Sequence, residues 1–153
     1  MNTATTSETQ TSTRLRLRQR VAQVSDRFAE DAGRLAARLE SYKDRSSSKP
    51  KIALTQVRGL ENVAYTTLKV SDITDYVKKQ IGRRRWPLEL GEDLLAAFDR
   101  LQPEVRRIAK DMGVQDKDLP RQTHLLLCRE YVKHLAAHFI YQRRLRGEEE
   151  EER

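Results

Sequence analysis

The sequence has little of what stabilises small secreted proteins or forces a chain to turn. Cys128 is the single cysteine among 153 residues, so no disulfide framework can form within the chain. Six glycines and four prolines leave few forced turns. No run of about 18 apolar residues occurs, so we expect no membrane-spanning helix. These absences fit a soluble protein with a thin core in a reducing, cytoplasmic setting.

Sequence patterns typical of enzymes are also missing. There is no Gly-x-Ser-x-Gly motif, no phosphate-binding glycine loop and no placeable pair of carboxylates. His134 and His138 have the spacing of two metal ligands on a helix, but no third ligand can be placed. Cys128 falls on an apolar stripe and is expected in the core. We therefore predict a protein without catalytic activity, metal or cofactor, and a small metal enzyme is the weakest hypothesis.

Arginine and lysine are what the chain has in excess. They number 30 against 23 acidic residues, for a formal charge of +7. Five of the acids form the run Glu148–Glu152 and one of the bases is Arg153, so residues 1–147 hold 29 basic and 18 acidic residues and carry +11. This charge favours a polyanionic partner, commonly RNA or DNA, without choosing between them.

Apolar residues recur every three or four positions, which predicts helices. The longest stripe predicts a helix from Arg14 to about Asp44, and its members are Leu17, Val21, Val24, Phe28, Ala32, Leu35, Leu39 and Tyr42. A second helix is expected over 54–68 with Leu68 on its buried face. A third is capped by Ser71 and Gly82, a fourth covers 90–101, a fifth lies between Pro103 and Gly113, and a last one covers 121–146. No segment alternates with period two, so the sequence predicts an all-α, single-domain bundle of five to six helices with a long N-terminal helix.

The two ends differ in composition from the middle. Residues 1–13 are polar without periodicity and are predicted to be a disordered N-terminal tail. Residues 14–147 form the predicted helical bundle domain, and residues 148–153 form an acidic C-terminal tail.

Basic residues are grouped along the chain. Arg83, Arg84 and Arg85 precede Trp86, and Lys78 and Lys79 lie one turn upstream in the same predicted patch. Arginine matches phosphate oxygens with two donors, and the indole either stacks on a base or fills the core. A second group lies at the start of the first predicted helix and consists of Arg14, Arg16, Arg18 and Arg20. A third group lies on the last predicted helix and consists of Arg129 and Lys133, which are one turn apart. We predict that these basic residues contact phosphates, and such contacts do not distinguish one base sequence from another.

Two segments of the chain carry a family resemblance. The first is residues 54–60, Leu-Thr-Gln-Val-Arg-Gly-Leu, and the second is residues 128–141, Cys-Arg-Glu-Tyr-Val-Lys-His-Leu-Ala-Ala-His-Phe-Ile-Tyr. The first is similar to a Leu-Thr-x-x-Gln-Ile-Arg segment, and the second to an aromatic-rich closing helix. Both belong to the small all-helical subunit of type III-A (Csm-type) CRISPR interference complexes, which serve antiviral defence.

The resemblance implies a non-catalytic subunit of a ribonucleoprotein. Copies of it would stack as a filament along guide RNA and target RNA beside other subunits, and would contact the RNA backbone without sequence specificity. Arg58 lies in the matching motif and Lys51 is its companion, so both are expected to bind RNA. The alternative is a self-associating helical adaptor or DNA-binding regulator, in which the stripe from Leu17 to Tyr42 pairs with another protein.

Overall fold

The described chain folds into helices. A computed structural model describes residues 3–43, 52–113 and 115–151. Over these residues there are six helices and no β-strand, which confirms the predicted all-α bundle with a long first helix. The helices are α1 Thr3–Ser41, α2 Leu54–Thr66, α3 Val70–Gly82, α4 Leu88–Asp99, α5 Gln102–Met112 and α6 Leu119–Glu151.

Helices α1 and α6 form the central pair of the bundle. They run in the same direction, because Ser25 bonds Glu130 and, further along both helices, Glu40 reaches Arg143. The predicted stripe of α1 is buried from Leu17 to Leu39. It packs inside the chain, so it is not available to pair with another protein, as the adaptor hypothesis required.

Both long helices extend beyond their predicted bounds. Helix α1 begins at Thr3 rather than Arg14, so residues 3–13 of the predicted tail are helical. The hydroxyls of Thr11 and Thr13 donate to carbonyls one turn earlier, at 3.0 and 2.9 Å, which accommodates these side chains in a helix. Extending a helix that is already packed is far easier than nucleating one. At the other end, α6 continues to Glu151, into the predicted acidic tail.

Helices α2 and α3 approach closely at a glycine. A Cβ atom at Gly59 would clash with the Tyr76 hydroxyl, which donates to the Gln56 carbonyl at 2.7 Å. The Gln56 side chain also accepts a hydrogen bond from the Ala53 N–H at 3.2 Å, at the start of α2. The segment that carries the first resemblance therefore opens a helix, as predicted, and supplies its contact with α3.

The connection between α2 and α3 corrects two predictions. Leu68 was expected on the buried face of α2, yet α2 ends before it and its side chain is 88% exposed. Helix α3 starts after Lys69 and not at Ser71. Thr67 holds this turn, because its hydroxyl accepts from the Lys69 N–H at 3.1 Å and bonds the Asp72 carboxylate.

The shorter helices close the core against the α1–α6 pair. Pro103 lies in the first turn of α5, and Gly113 caps it in the left-handed region with φ 63°, both as predicted. Contacts of α4 with α1 and α3, and of α5 with α1 and α6, enclose the core. Trp86, Phe98 and Tyr131 are its largest side chains.

A buried carboxylate joins α1, α6 and the segment before α2. Glu40 is 4% exposed, and its carboxylate pairs with Arg143 at 3.1 Å and with Arg146. Arg143 also donates to the Ile52 carbonyl at 2.8 Å, and its guanidinium lies 4.9 Å from the centre of the Phe139 ring. Two guanidinium groups compensate the charge of Glu40, so this cluster fixes the register of α1 against α6.

We predict that Glu40→Ala lowers the free energy of unfolding by about 3 kcal/mol, because it leaves two partly buried guanidinium groups without their partner. Urea unfolding followed by circular dichroism measures this loss. The matched control is Glu30→Ala. The Glu30 carboxylate is 85% exposed and pairs with Arg34 at 3.1 Å, so we expect a loss of about 0.5 kcal/mol or less. Equal losses in the two variants would show that the Glu40 cluster is not a register-fixing contact.

Candidate nucleic-acid interface

Five exposed cations lie together at the end of α3, and we name them the cationic cluster: Lys78, Lys79, Arg83, Arg84 and Arg85. Two are in the last turns of α3, and three follow it directly. Within the described ranges, no carboxylate pairs with any of the five. Their donors therefore face solvent and are open to a bound anion.

The backbone holds the three arginines in a tight helix-ending turn. Arg84 N–H donates to the Ile81 carbonyl and Arg85 N–H to the Gln80 carbonyl, both at 2.9 Å. This pair of bonds defines a Schellman motif, which needs one residue in the left-handed region. That residue is Arg84, with φ 58°, and not Gly82, which the sequence predicted as the cap. Arginine at a position that favours glycine is strained.

Trp86 is buried in the core beneath the cationic cluster and is not part of its exposed surface. Its side chain is 2% exposed and packs edge-on against Tyr76, with 6.4 Å between the ring centres. Of the two roles considered for the indole, filling the core is therefore the one observed, and stacking on a base is excluded. Because the next residue after the arginines is buried, the turn that carries them is fixed to the core.

Several arginines outside the cluster pair with carboxylates, mostly across helix contacts. The pairs are Arg20–Asp111, Arg27–Glu104, Arg38–Asp93, Arg100–Asp31 and Arg107–Glu104. They join α1 to α4 and α5, or lie within α5. The excess charge is consequently not spread evenly over the surface, and the end of α3 holds a concentrated part of it.

Arg129 has a structural role at the end of α2, and its contact with RNA stays a prediction. Its Nε donates to the Ala64 carbonyl at 2.7 Å, and its Nη2 donates to the Thr67 carbonyl at 2.6 Å. The last carbonyls of a helix have no partner within it, so this guanidinium satisfies the end of α2. The sequence could not reveal this role, because it depends on how α6 crosses α2.

Arg58 and Lys133 lie apart from the cationic cluster. Gly59 faces α3, whereas Arg58 is exposed and shares a helix face with Tyr65, seven positions further on. Burial raises the pKa of Tyr65, and the charge of Lys133 opposes part of this rise, so Lys133 lies near this face of α2. Lys133 is exposed and lies 3.8 Å from Glu130. Lys51, the predicted companion of Arg58, lies outside the described residues.

The histidines and the cysteine are accounted for by packing. His134 Nε2 lies 2.8 Å from the Ser25 hydroxyl, and the His138 ring packs against Gly33. Burial raises the pKa of the Cys128 thiol to about 12, as expected for a core residue. Over the part of the chain that the structure describes, no group of three or more potential ligands could hold a metal ion.

A second basic surface becomes visible only in three dimensions. We name it the basic groove, and Arg14, Arg18, Lys69 and Arg121 line it. It has a volume of about 820 Å³ between α1, α6 and the start of α3. Arg14 and Arg18 are four positions apart and therefore share one helix face, so the sequence indicates this part of the basic groove. No sequence pattern joins them to Lys69 and Arg121.

Comparisons with protein-family models, curated proteins and solved structures find no match to this chain. None of the helices in the described ranges combines the length and apolar composition that crossing a bilayer requires.

We predict that Arg84→Gly raises the free energy of unfolding by about 0.5–1 kcal/mol. Relief of the left-handed strain contributes roughly 1–2 kcal/mol, and the greater freedom of glycine in the unfolded chain offsets about 0.4–1 kcal/mol of it. Arg84→Ala removes the same side chain but keeps the strain, so it should show no such gain. Denaturant unfolding of both variants measures the difference. Equal stability of the two would mean that the left-handed turn carries no strain.

Proposed function

We propose that this chain is a non-catalytic, RNA-binding subunit of a ribonucleoprotein, which holds the RNA backbone without regard to base sequence. The cationic cluster is the observation that carries the proposal. Among the described residues, five cations at one helix end have no carboxylate partner, and together they form a surface to which consecutive phosphates can bind. Arginine is suited to this role because its planar donors engage phosphate oxygens in pairs.

The surroundings of the cluster favour contacts to phosphates over contacts to bases. Proteins that hold single strands by their bases use exposed aromatic rings as stacking platforms. Here Trp86 is buried and Tyr76 is half-buried with its hydroxyl bonded to Gln56. Guanidinium and ammonium groups therefore dominate this surface. A subunit that must accept any guide sequence requires this type of contact.

The choice of RNA, and of a type III CRISPR complex, rests on the resemblance of residues 54–60 and 128–141. These segments begin α2 and occupy the middle of α6. Arg129 in the second segment bonds two carbonyls at the end of α2, so the two matching helices are packed as one unit. In this proposal guide RNA and target RNA are the ligands, copies of the chain stack along them, and other subunits perform any cleavage.

Replacing Arg83, Arg84 and Arg85 together with alanine should weaken RNA binding and flatten its salt dependence. Each lost phosphate contact reduces the slope of log affinity against log salt by about 0.7 on single strands. Fluorescence anisotropy with a uniform and a mixed-sequence RNA, between about 50 and 200 mM salt, measures both quantities. Arg106→Ala, at an exposed cation on α5, is the control and should change the slope by less.

Two results would contradict the proposal. One is an unchanged slope for the triple variant with its helical signal intact. The other is a strong preference of the unsubstituted chain for one DNA duplex, which would indicate a sequence-reading regulator.

Arg58→Ala should reduce assembly on guide RNA about tenfold relative to Arg106→Ala, the equivalent of one charge-assisted hydrogen bond of roughly 1.5 kcal/mol. The two variants remove one exposed cation each, from α2 and α5. Each tagged chain is purified from its native host, and the co-purifying RNA is quantified and sequenced. Short RNAs with a shared repeat-derived end would support the proposed complex. A particle without nucleic acid would exclude it.

A further inference from the structure

The basic groove lies at the opposite end of α3 from the cationic cluster. Lys69 and Val70 border it at the start of α3, and Arg14, Arg18 and Arg121 contribute from α1 and α6. These four cations are exposed, and a fifth, Arg129, is half-buried in the lining. Among the described residues, Asp118 is the one acidic side chain in the lining. The two surfaces are separated by the length of α3, about 20 Å.

The groove differs from the cluster because it has an apolar floor. Leu17, Leu125 and Leu126 line it, and Leu68 projects beside them with 88% of its side chain exposed. An exposed apolar surface rimmed by charge is typical of a protein interface. The lining contains no aromatic residue other than His124, so it offers no platform for stacked bases. An acidic helix with some apolar side chains fits this chemistry better than a nucleic-acid strand.

The chain itself supplies such a helix at the far end of α6. Tyr141 and Leu145 are 59% and 36% exposed there. The sequence continues into the five glutamates of Glu148–Glu152. Three arginines lie between Tyr141 and Glu148, and two of them, Arg143 and Arg146, are paired with Glu40. This end of the helix is therefore acidic overall and carries exposed apolar residues, which matches an apolar floor with a basic rim.

This acidic end cannot fold back into its own groove. Arg121 and Glu148 belong to the same helix, and about 40 Å of helix separates them. A second copy is required to bring the two surfaces together.

We propose that the acidic end of α6 of one copy docks in the basic groove of the next. The contact joins two different surfaces, so it repeats from copy to copy and produces a head-to-tail chain of subunits. This deepens the stacking part of the proposed function by naming the two surfaces, and it does not depend on RNA binding by the cationic cluster.

A charge exchange tests the contact with full-length, RNA-free protein. One variant carries Arg18→Glu and Arg121→Glu in the groove, and the other carries Glu149→Lys and Glu151→Lys in the acidic run. Sedimentation velocity at low salt should show concentration-dependent association of the unsubstituted chain. Each variant alone should associate at least about tenfold more weakly, because the substitutions cancel the net positive charge of the groove or reduce the run from five negative charges to a net charge of one. Mixing the two variants should restore association between unlike copies, since the unsubstituted groove of one variant then meets the unsubstituted acidic run of the other.

Arg106→Glu is the control for charge reversal elsewhere and should leave association unchanged. The proposal is overturned if the unsubstituted chain stays monomeric at every concentration, or if mixing fails to restore association while both variants are folded. It is also overturned if the groove variant loses RNA affinity and self-association is unaffected, because the groove would then hold nucleic acid. Loss of RNA binding in the Arg83, Arg84 and Arg85 variant reports on the proposed function alone.

Discussion

The packing of α1 along α6 is the constraint on which the rest of the structure depends. Neither helix would be stable alone in water at such length with so narrow an apolar stripe, and each is stabilised by burying that stripe against the other. The pair is parallel, so four shorter helices have to connect the end of one to the start of the other. Glu40 fixes the register of this pair through Arg143 and Arg146. Once the register is set, the crossings of α2 and α5 with α6 follow.

This arrangement also determines which basic residues are paired with carboxylates and which are not. Arginines along the middle of α1 lie opposite α4 and α5, whose carboxylates pair with them, as in Arg38–Asp93 and Arg27–Glu104. Exposed pairs of this kind contribute little to stability, but they neutralise the surface on which they lie. Helix α3 packs mainly against α2 and α4. Over the part of the chain that the structure describes, no carboxylate pairs with the cations at its two ends. A net charge read from composition thus becomes two separate basic surfaces.

The sequence predicted what depends on local pattern. The stripe from Leu17 to Leu39, the boundaries at Pro103 and Gly113 and the burial of Cys128 all follow from spacing and residue type, because neighbouring turns decide them. Two predictions failed at turns whose exact bounds the residue types did not reveal: Leu68 is turned outward by the Thr67 turn, and the left-handed residue after α3 is Arg84 rather than Gly82. The bonds of Arg129 to the carbonyls that end α2 depend on a distant helix crossing, so no local pattern predicts them. The basic groove combines three segments remote in sequence, so no local pattern contains it.

The two basic surfaces show why charge alone is a poor guide to the kind of polyanion that binds. Both present several guanidinium or ammonium groups, and both would attract an anion over the same distance. They differ in the surface beneath the charge. The cationic cluster rests on a turn whose one aromatic residue, Trp86, is buried, so an anion meets donors and little else. The groove places its cations around exposed leucine, so an anion gains full contact only if it also brings apolar side chains. A sugar–phosphate strand satisfies the first surface, and an acidic amphipathic helix satisfies the second.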